Sequence, residues 1–128
     1  MKRTLRGRGE PLSPFAIYTV ERRYQLIMED PRIRKFAKFL INSAVGLQKG
    51  EKILIELHGS ETTLMKALVQ EAYLAGGKPF IHIFDYDVEG ALVAGADAEH
   101  MAEIASYELE RMKDMDAYID IRTTTNIS

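Results

Sequence analysis

The stretch 50–85 constrains the fold of this chain more than any other part of it. It opens with a short apolar, β-branched segment, Lys52–Leu57, and closes with a second segment of the same character, Pro79–Phe84. Between them, Thr62–Ala75 carries apolar side chains at helical spacing, and two glycines follow where a helix commonly ends. This succession predicts a βαβ unit with parallel strands and a right-handed crossover.

Further elements extend the unit on both sides. Asp30 and Pro31 suit the start of a helix that precedes the first strand. Its apolar face is predicted to contain Phe36, Leu40, Ala44 and Leu47. The pattern after the second strand predicts a short helical segment, a longer helix over Ala98–Lys113 with Asp97 as its N-cap, and a third strand over Ala117–Ile121. The side of the longer helix predicted to pack into the core contains Met101, Ile104, Ala105, Leu109 and Met112. The predicted fold is therefore α/β, with a small parallel β-sheet of about three strands around the βαβ core and covering helices.

The first 27 residues differ from the rest in charge and in pattern. They contain six Lys or Arg and two Glu, so they carry +4; the net charge of −2 then leaves −6 on residues 28–128. Glycines and prolines interrupt this part, and no helical or strand period precedes Phe15. We therefore expect residues 1–27 to form a disordered basic leader and residues 28–128 to form the folded domain. A basic arm that binds an acidic partner is the alternative.

Composition excludes several classes of protein. The chain has no cysteine, so it has neither a disulfide framework nor a thiolate site. It has no apolar run near the roughly 20 residues that span a bilayer, so no membrane partner is expected. The acidic charge of residues 28–128 argues against a nucleic-acid-binding surface there.

Three long segments and the last four residues resemble the metallo-aminopeptidases of the aminopeptidase S/aminopeptidase T type, often called leucyl aminopeptidases. The segments are FAKFLINSAVGLQKGEKILIELHG at 36–59, LMKALVQEAYLAGGKPFIHI at 64–83, LVAGADAEHMAEIASYELERMKDMDAYIDIR at 92–122, and the terminal TNIS. The N-terminal domain of that family is α/β with a parallel sheet, as the pattern of this chain also predicts. The resemblance implies an incomplete N-terminal domain over residues 28–128, which ends before the catalytic domain.

The resemblance also carries expectations about activity. Members of this family are cytoplasmic homodimers that remove N-terminal residues from peptides with two divalent metal ions of the zinc or cobalt class. Their metal ligands lie in a second domain, downstream of the segments matched here. The resemblance therefore implies no catalytic residue and no metal ligand in this chain, no metal bound to it, and no activity of the chain by itself. Peptide substrates and the homodimer belong to the full-length enzyme.

The histidines form no recognisable metal-binding motif. His58, His82 and His100 are in none of the arrangements HxxxH, HxH or HxxEH. His82 is predicted to be a buried strand residue and His100 a solvated one. His58 follows the first strand, where it can contact a substrate or serve as a loop histidine bonded to backbone.

A substrate-side rim is the one binding role predicted for this chain. Arg122 and Asn126 follow the third strand, at the edge of a parallel sheet where ligands gather, and His58 occupies the corresponding place after the first strand. A guanidinium fork suits a peptide carboxylate. The competing interpretation pairs Arg122 with an acid such as Asp120 or Glu56, and leaves Asn126 to shape a turn.

A stand-alone binding or interaction module for a nucleotide or a protein is the alternative function. Asp85 follows the second strand, where dinucleotide folds keep their ribose-binding acid. The loop after the first strand has a single glycine and no G-x-G-x-x-G pattern, which weakens the nucleotide interpretation. Ser60 or Thr62 in this loop is predicted to cap the next helix.

Overall fold

The computed structural model describes residues 3–6, 10–14, 16–22 and 31–123, and the side chains of residues 31–122. The elements run in the order β1 (Arg3–Arg6), β2 (Glu10–Pro14), β3 (Ala16–Arg22), α1 (Pro31–Phe39), a π-helical turn (Leu40–Ala44), β4 (Lys52–His58), α2 (Thr63–Leu74), β5 (Lys78–Phe84), α3 (Tyr86–Gly95), α4 (Ala98–Met112) and β6 (Ala117–Thr123). Strands β1 and β2 form an antiparallel pair, and the other four strands form one sheet.

That sheet is parallel throughout and has the strand order β3-β6-β4-β5. The predicted βαβ unit is present as β4, α2 and β5, and the predicted third strand is β6, which pairs with β4 from Ile53 and Ala117 to His58 and Arg122. The chain leaves β5 at one edge and returns to the other side of β4. This order confirms the α/β class and the parallel sheet.

A fourth strand lies in the part of the chain that the sequence pattern assigns to a disordered leader. All seven residues of β3 pair with β6, from Ala16 opposite Ala117 to Arg22 opposite Thr123. The segment AIYTVER does contain the β-branched residues that favour strands, but it is short and follows two prolines. The division into a leader and a folded domain stays a prediction, which deletion of the leader tests.

The hydrophobic core lies on one side of the sheet. Alternate residues of β4, namely Ile53, Ile55 and Leu57, face this side and are fully buried. Helices α1 and α2 pack against each other and cover them, together with the π-helical turn. The predicted face of the first helix is confirmed: Leu40, Ala44 and Leu47 are buried and Phe36 packs against them.

The helices α3 and α4 differ from this arrangement, because none of their residues is buried. The prediction that one side of α4 packs into the core is wrong: Met101 is 37% exposed and Leu109 is 60% exposed. Helical periodicity shows which side of a helix is apolar, but it does not show whether another element packs there.

Of the helix caps predicted from the sequence, one is confirmed and one is wrong, while Asp30, predicted to start α1, lies outside the described residues. Asp97 caps α4 as predicted, since its carboxylate accepts a hydrogen bond from His100 N. Asp85 caps α3 by accepting from Asp87 N and Val88 N. The prediction for α2 is wrong: Thr62 makes no side-chain cap, and Glu61 accepts a bond of 2.7 Å from Thr63 N instead.

Candidate metal centre

The side of the sheet opposite the core carries a row of polar residues. Because strand residues alternate between the two faces, Glu56 and His58 of β4 point away from the buried isoleucines beside them. The register places Asp120 of β6 directly opposite Glu56 and Arg122 opposite His58. Two neighbouring strands thus bring a glutamate, a histidine and an aspartate together near their carboxyl ends.

These three side chains are buried and close to one another. Glu56, His58 and Asp120 are 8%, 7% and 4% exposed. One ligand atom from each lies within 4.8 Å of the other two, and no other group of three such side chains does so in the part of the chain that the structure describes. Burial makes an unbalanced charge costly, so the partners of each side chain decide what this cluster can do.

His58 lies between two carboxylates. Its Nδ1 is 3.3 Å from Oε1 of Glu89, which comes from α3, and its Nε2 is 3.2 Å from Oδ1 of Asp120. The imidazole ring stacks on Phe84 of β5, with 4.6 Å between ring centroids and 8° between ring planes. The ring is therefore held in one plane, with one nitrogen directed to the helix and the other to the sheet.

Asp120 uses its two oxygens differently. Oδ2 accepts a bond of 2.8 Å from Nε of Arg122, a half-exposed residue whose pKa is raised chiefly by this hydrogen bond. Oδ1 is buried and has no hydrogen bond among the described residues, although His58 Nε2 lies close to it. A buried carboxylate oxygen without a donor is unusual, and a bound water or ion is one way to satisfy it.

Glu56 is the centre of a second set of contacts. The hydroxyl of Tyr118 donates to its Oε1, and its Oε2 lies 3.6 Å from both Nη2 of Arg111 and Nδ1 of His82. Burial raises the pKa of Tyr118 well above its usual range, and the bond to Glu56 adds to this, so the phenol stays protonated as a donor. Arg111 comes from α4 and also contacts Nδ1 of His82.

The structure describes two of the three residues predicted for the substrate-side rim. His58 is the last residue of β4 and not a loop residue, and its side chain is buried. Arg122 pairs with Asp120, as the competing interpretation expected, although this aspartate is buried. Asn126 lies outside the described residues. His82 is only partly buried and His100 is exposed.

Sequence reasoning missed Glu56 and Asp120 as members of a site. The available signal was a charged residue in the middle of each apolar strand, in KILIELH and AYIDIRT. Such residues are rarely buried without a partner. The sequence did not show the strand order. It makes β4 and β6 neighbours, although the last residue of β4, His58, and the first residue of β6, Ala117, are far apart in the chain.

The donor set suits a single divalent ion. Imidazole nitrogen and carboxylate oxygen are ligands of catalytic zinc sites, which use three protein ligands and leave a fourth position open. Two-metal hydrolytic centres need more ligands than the three found here, because two ions must be held about 3.5–4 Å apart. The cluster therefore fits one ion and does not fit a two-metal centre.

The fold and this cluster define an α/β protein with a parallel sheet and a candidate metal centre at the carboxyl ends of its strands. A comparison with known protein families matches residues 29–127 to the family described as thermophilic metalloprotease (M29). The chain belongs to that family, which confirms the resemblance seen in the sequence. No curated protein matches the sequence at a significant level. Among the described residues, every helix is too short or too polar to span a bilayer.

Proposed function

We propose that this chain is the N-terminal part of a metal-dependent aminopeptidase, which removes N-terminal amino acids from peptides. The observation that carries the proposal is the family match over residues 29–127, which covers the whole segment from α1 to β6. The parallel sheet with its polar carboxyl edge supports it, since ligands of such sheets bind beyond the strand ends. We further propose that the full-length enzyme is cytoplasmic and homodimeric, with two divalent ions of the zinc or cobalt class, and binds neither nucleic acid nor membrane.

The chain by itself is proposed to be inactive on peptides. Hydrolysis by two metal ions requires several ligands around each ion, and the described residues bring together one group of three. The test is an assay of the purified 128-residue chain on aminoacyl p-nitroanilides and on short peptides, with added zinc or cobalt. We expect no release of an N-terminal amino acid above the background of a chelator-treated control. Metal-dependent release by this chain would contradict the proposal.

Arg122 is the residue on which the proposed substrate-side rim chiefly depends. Its guanidinium is half exposed at the carboxyl end of β6, and its Nε donates a hydrogen bond to Asp120. The outer part of the fork then suits a peptide carboxylate, in agreement with the geometry that guanidinium groups favour. Asn126 and His58 are proposed as the other members of the rim, His58 through its effect on Asp120.

The rim is tested in a full-length enzyme that carries this segment. Arg122→Ala is expected to lower kcat/KM about tenfold, the effect of losing about 1.4 kcal/mol, with metal content unchanged. Arg34→Ala is a matched control, because Arg34 is an exposed arginine on α1, on the other side of the sheet. Unchanged kinetics combined with lower stability would make Arg122 a structural residue.

The stand-alone nucleotide-binding module receives less support. Its candidate ribose ligand, Asp85, already accepts two backbone hydrogen bonds as the N-cap of α3. A carboxylate used in this way is a structural cap. The other version of this alternative is a module that binds a protein, and no contact among the described residues favours it.

A further inference from the structure

The unpaired oxygen of Asp120 is the starting point for an inference about this chain alone. Oδ1 is buried and lacks a hydrogen bond among the described residues, while Oδ2 is held by Arg122. Leaving a buried charged acceptor without a partner costs more than leaving a neutral one, because the charged group loses more hydration. Nε2 of His58 lies 3.2 Å from Oδ1.

The contact between His58 and Asp120 lacks hydrogen-bond geometry, although Nε2 and Oδ1 are only 3.2 Å apart. Nδ1 of the same ring lies 3.3 Å from the carboxylate of Glu89, so Nε2 is the ring nitrogen on the side of Asp120. An ion bound beside Nε2 and Oδ1 would give the buried oxygen the partner that it lacks.

A carboxylate behind the histidine is also the usual support of a metal-bound imidazole. In such sites the ligand nitrogen points to the metal, and the other ring nitrogen donates to a carboxylate that fixes the tautomer. Glu89 occupies that second position, and the stacking on Phe84 fixes the plane of the ring.

The distances agree with a shared ion. Two ligand atoms bound to one tetrahedral zinc ion lie about 3.4 Å apart, given bonds of about 2.0–2.2 Å. His58 and Asp120 are already at 3.2 Å, and Glu56 lies within the 4.8 Å that encloses the group.

The charge of the surroundings favours a cation as well. The groups that face the cluster are three carboxylates (Glu56, Glu89 and Asp120), two guanidinium groups (Arg111 and Arg122), the phenol of Tyr118 and the imidazoles of His58 and His82. The three carboxylates outnumber the two guanidinium groups, and a divalent ion would oppose this excess of negative charge.

From these observations we propose that Glu56, His58 and Asp120 bind one divalent ion of the zinc class at the carboxyl ends of β4 and β6, with Glu89 positioning His58. The site is a property of the described chain and does not depend on peptide hydrolysis. The two proposals can fail separately. Absence of zinc binding would not affect the proposed aminopeptidase origin, and the result of the aminopeptidase assay would not affect the metal site.

The experiment titrates the purified, chelator-treated 128-residue chain with zinc chloride by calorimetry. We expect one equivalent to bind, with a rise in thermal unfolding temperature, because an ion that binds only the folded state stabilises it. Cobalt chloride provides a spectroscopic readout: the bound ion should show visible absorption bands of a four- or five-coordinate N/O site, and zinc should displace it.

Substitutions identify the ligands. Asp120→Asn and His58→Gln are each expected to weaken zinc affinity more than about tenfold, and Glu89→Gln to weaken it about tenfold through the histidine. Asp114→Asn and His100→Gln are the matched controls, because both residues are exposed and stand outside the cluster. Far-ultraviolet circular dichroism of each variant, and the cobalt spectrum of those that fold, separate lost ligands from lost structure.

Three results would overturn the proposal. One is the absence of one-equivalent zinc binding to the folded wild-type chain, and another is equal affinity of Asp120→Asn and Asp114→Asn. The third is a nitrogen-15 spectrum in which His58 carries protons on both ring nitrogens and zinc does not change it, which would make an imidazolium the cation between Glu89 and Asp120. The site is supported if the cluster variants bind zinc more weakly while the control variants do not, and if bound cobalt shows the expected bands.

Discussion

The two sides of the sheet are built from the same strands and differ in almost every other respect. On one side, α1, the π-helical turn and α2 cover isoleucines and leucines that are fully buried. On the other side, the strands present Glu56, His58, Tyr118 and Asp120, while α3 and α4 have no buried residue of their own. The polar side is joined to these helices by charged contacts, from Glu89 to His58 and from Arg111 to Glu56.

The difference separates stability from binding within one small domain. Apolar burial contributes roughly 25 cal/mol for each Å² removed from water, so the α1–α2 side should hold most of the free energy of unfolding. Polar contacts contribute much less net stability, but they position side chains. The polar side is therefore the place where a ligand or an ion can be bound at small cost to the fold.

The largest expected effect is on the core side. Leu68→Ala should lower the free energy of unfolding by about 2–5 kcal/mol, because Leu68 is fully buried on the inner face of α2 and its truncation leaves a cavity. Leu109→Ala, the same change on α4 at a residue 60% exposed, should cost less than about 0.5 kcal/mol. Urea denaturation of both variants measures the contrast. Similar losses would show that α4 is covered in solution.

A smaller effect is expected on the polar side. Tyr118→Phe removes the hydroxyl that donates to Glu56 and leaves a buried carboxylate oxygen without this donor, so it should cost about 1–2 kcal/mol. Tyr107→Phe removes a hydroxyl from a residue 78% exposed and should leave thermal unfolding unchanged. If the two variants unfold alike, the hydrogen bond to Glu56 does not stabilise the fold.

The smallest effect is expected for the leader. Deletion of residues 1–27 should change the free energy of unfolding by less than about 2 kcal/mol, the scale of one lost core side chain, because this segment lacks apolar periodicity. A chain that begins at Ala16, and so keeps β3, is the matched comparison. A larger loss that appears only when β3 is removed would show that its pairing with β6 contributes to stability.

Much of the fold was predictable from local patterns. Lys52–Leu57 and Pro79–Phe84 are short β-branched runs on either side of a helical repeat, and the structure has strands and a helix there within a residue or two. Asp97 was predictable as a cap because its side chain acts on the next few residues. The cap of α2 was not, since Glu61, Ser60 and Thr62 compete for the same backbone groups and packing selects among them.

The candidate site was predictable only in part. His58 was identified by its place after a strand, and Arg122 was paired with Asp120 in one of the two interpretations. Glu56 and Asp120 were not identified as site residues, because their proximity depends on the pairing of β4 with β6. The exposure of α4 was also missed, since periodicity describes one helix and burial describes a pair of surfaces.

The sequence by itself determined the elements, the α/β class and the family, because these depend on residue order within short windows and on long matching segments. The tertiary structure alone decided which strands are neighbours, which apolar faces are covered, and that Glu56, His58 and Asp120 meet. The physical reason is that the pairing of β4 with β6 joins residues 64 positions apart through backbone hydrogen bonds, which do not depend on the side chains. Side-chain pattern marks the face of each strand, and only the assembled sheet sets one charged residue beside another.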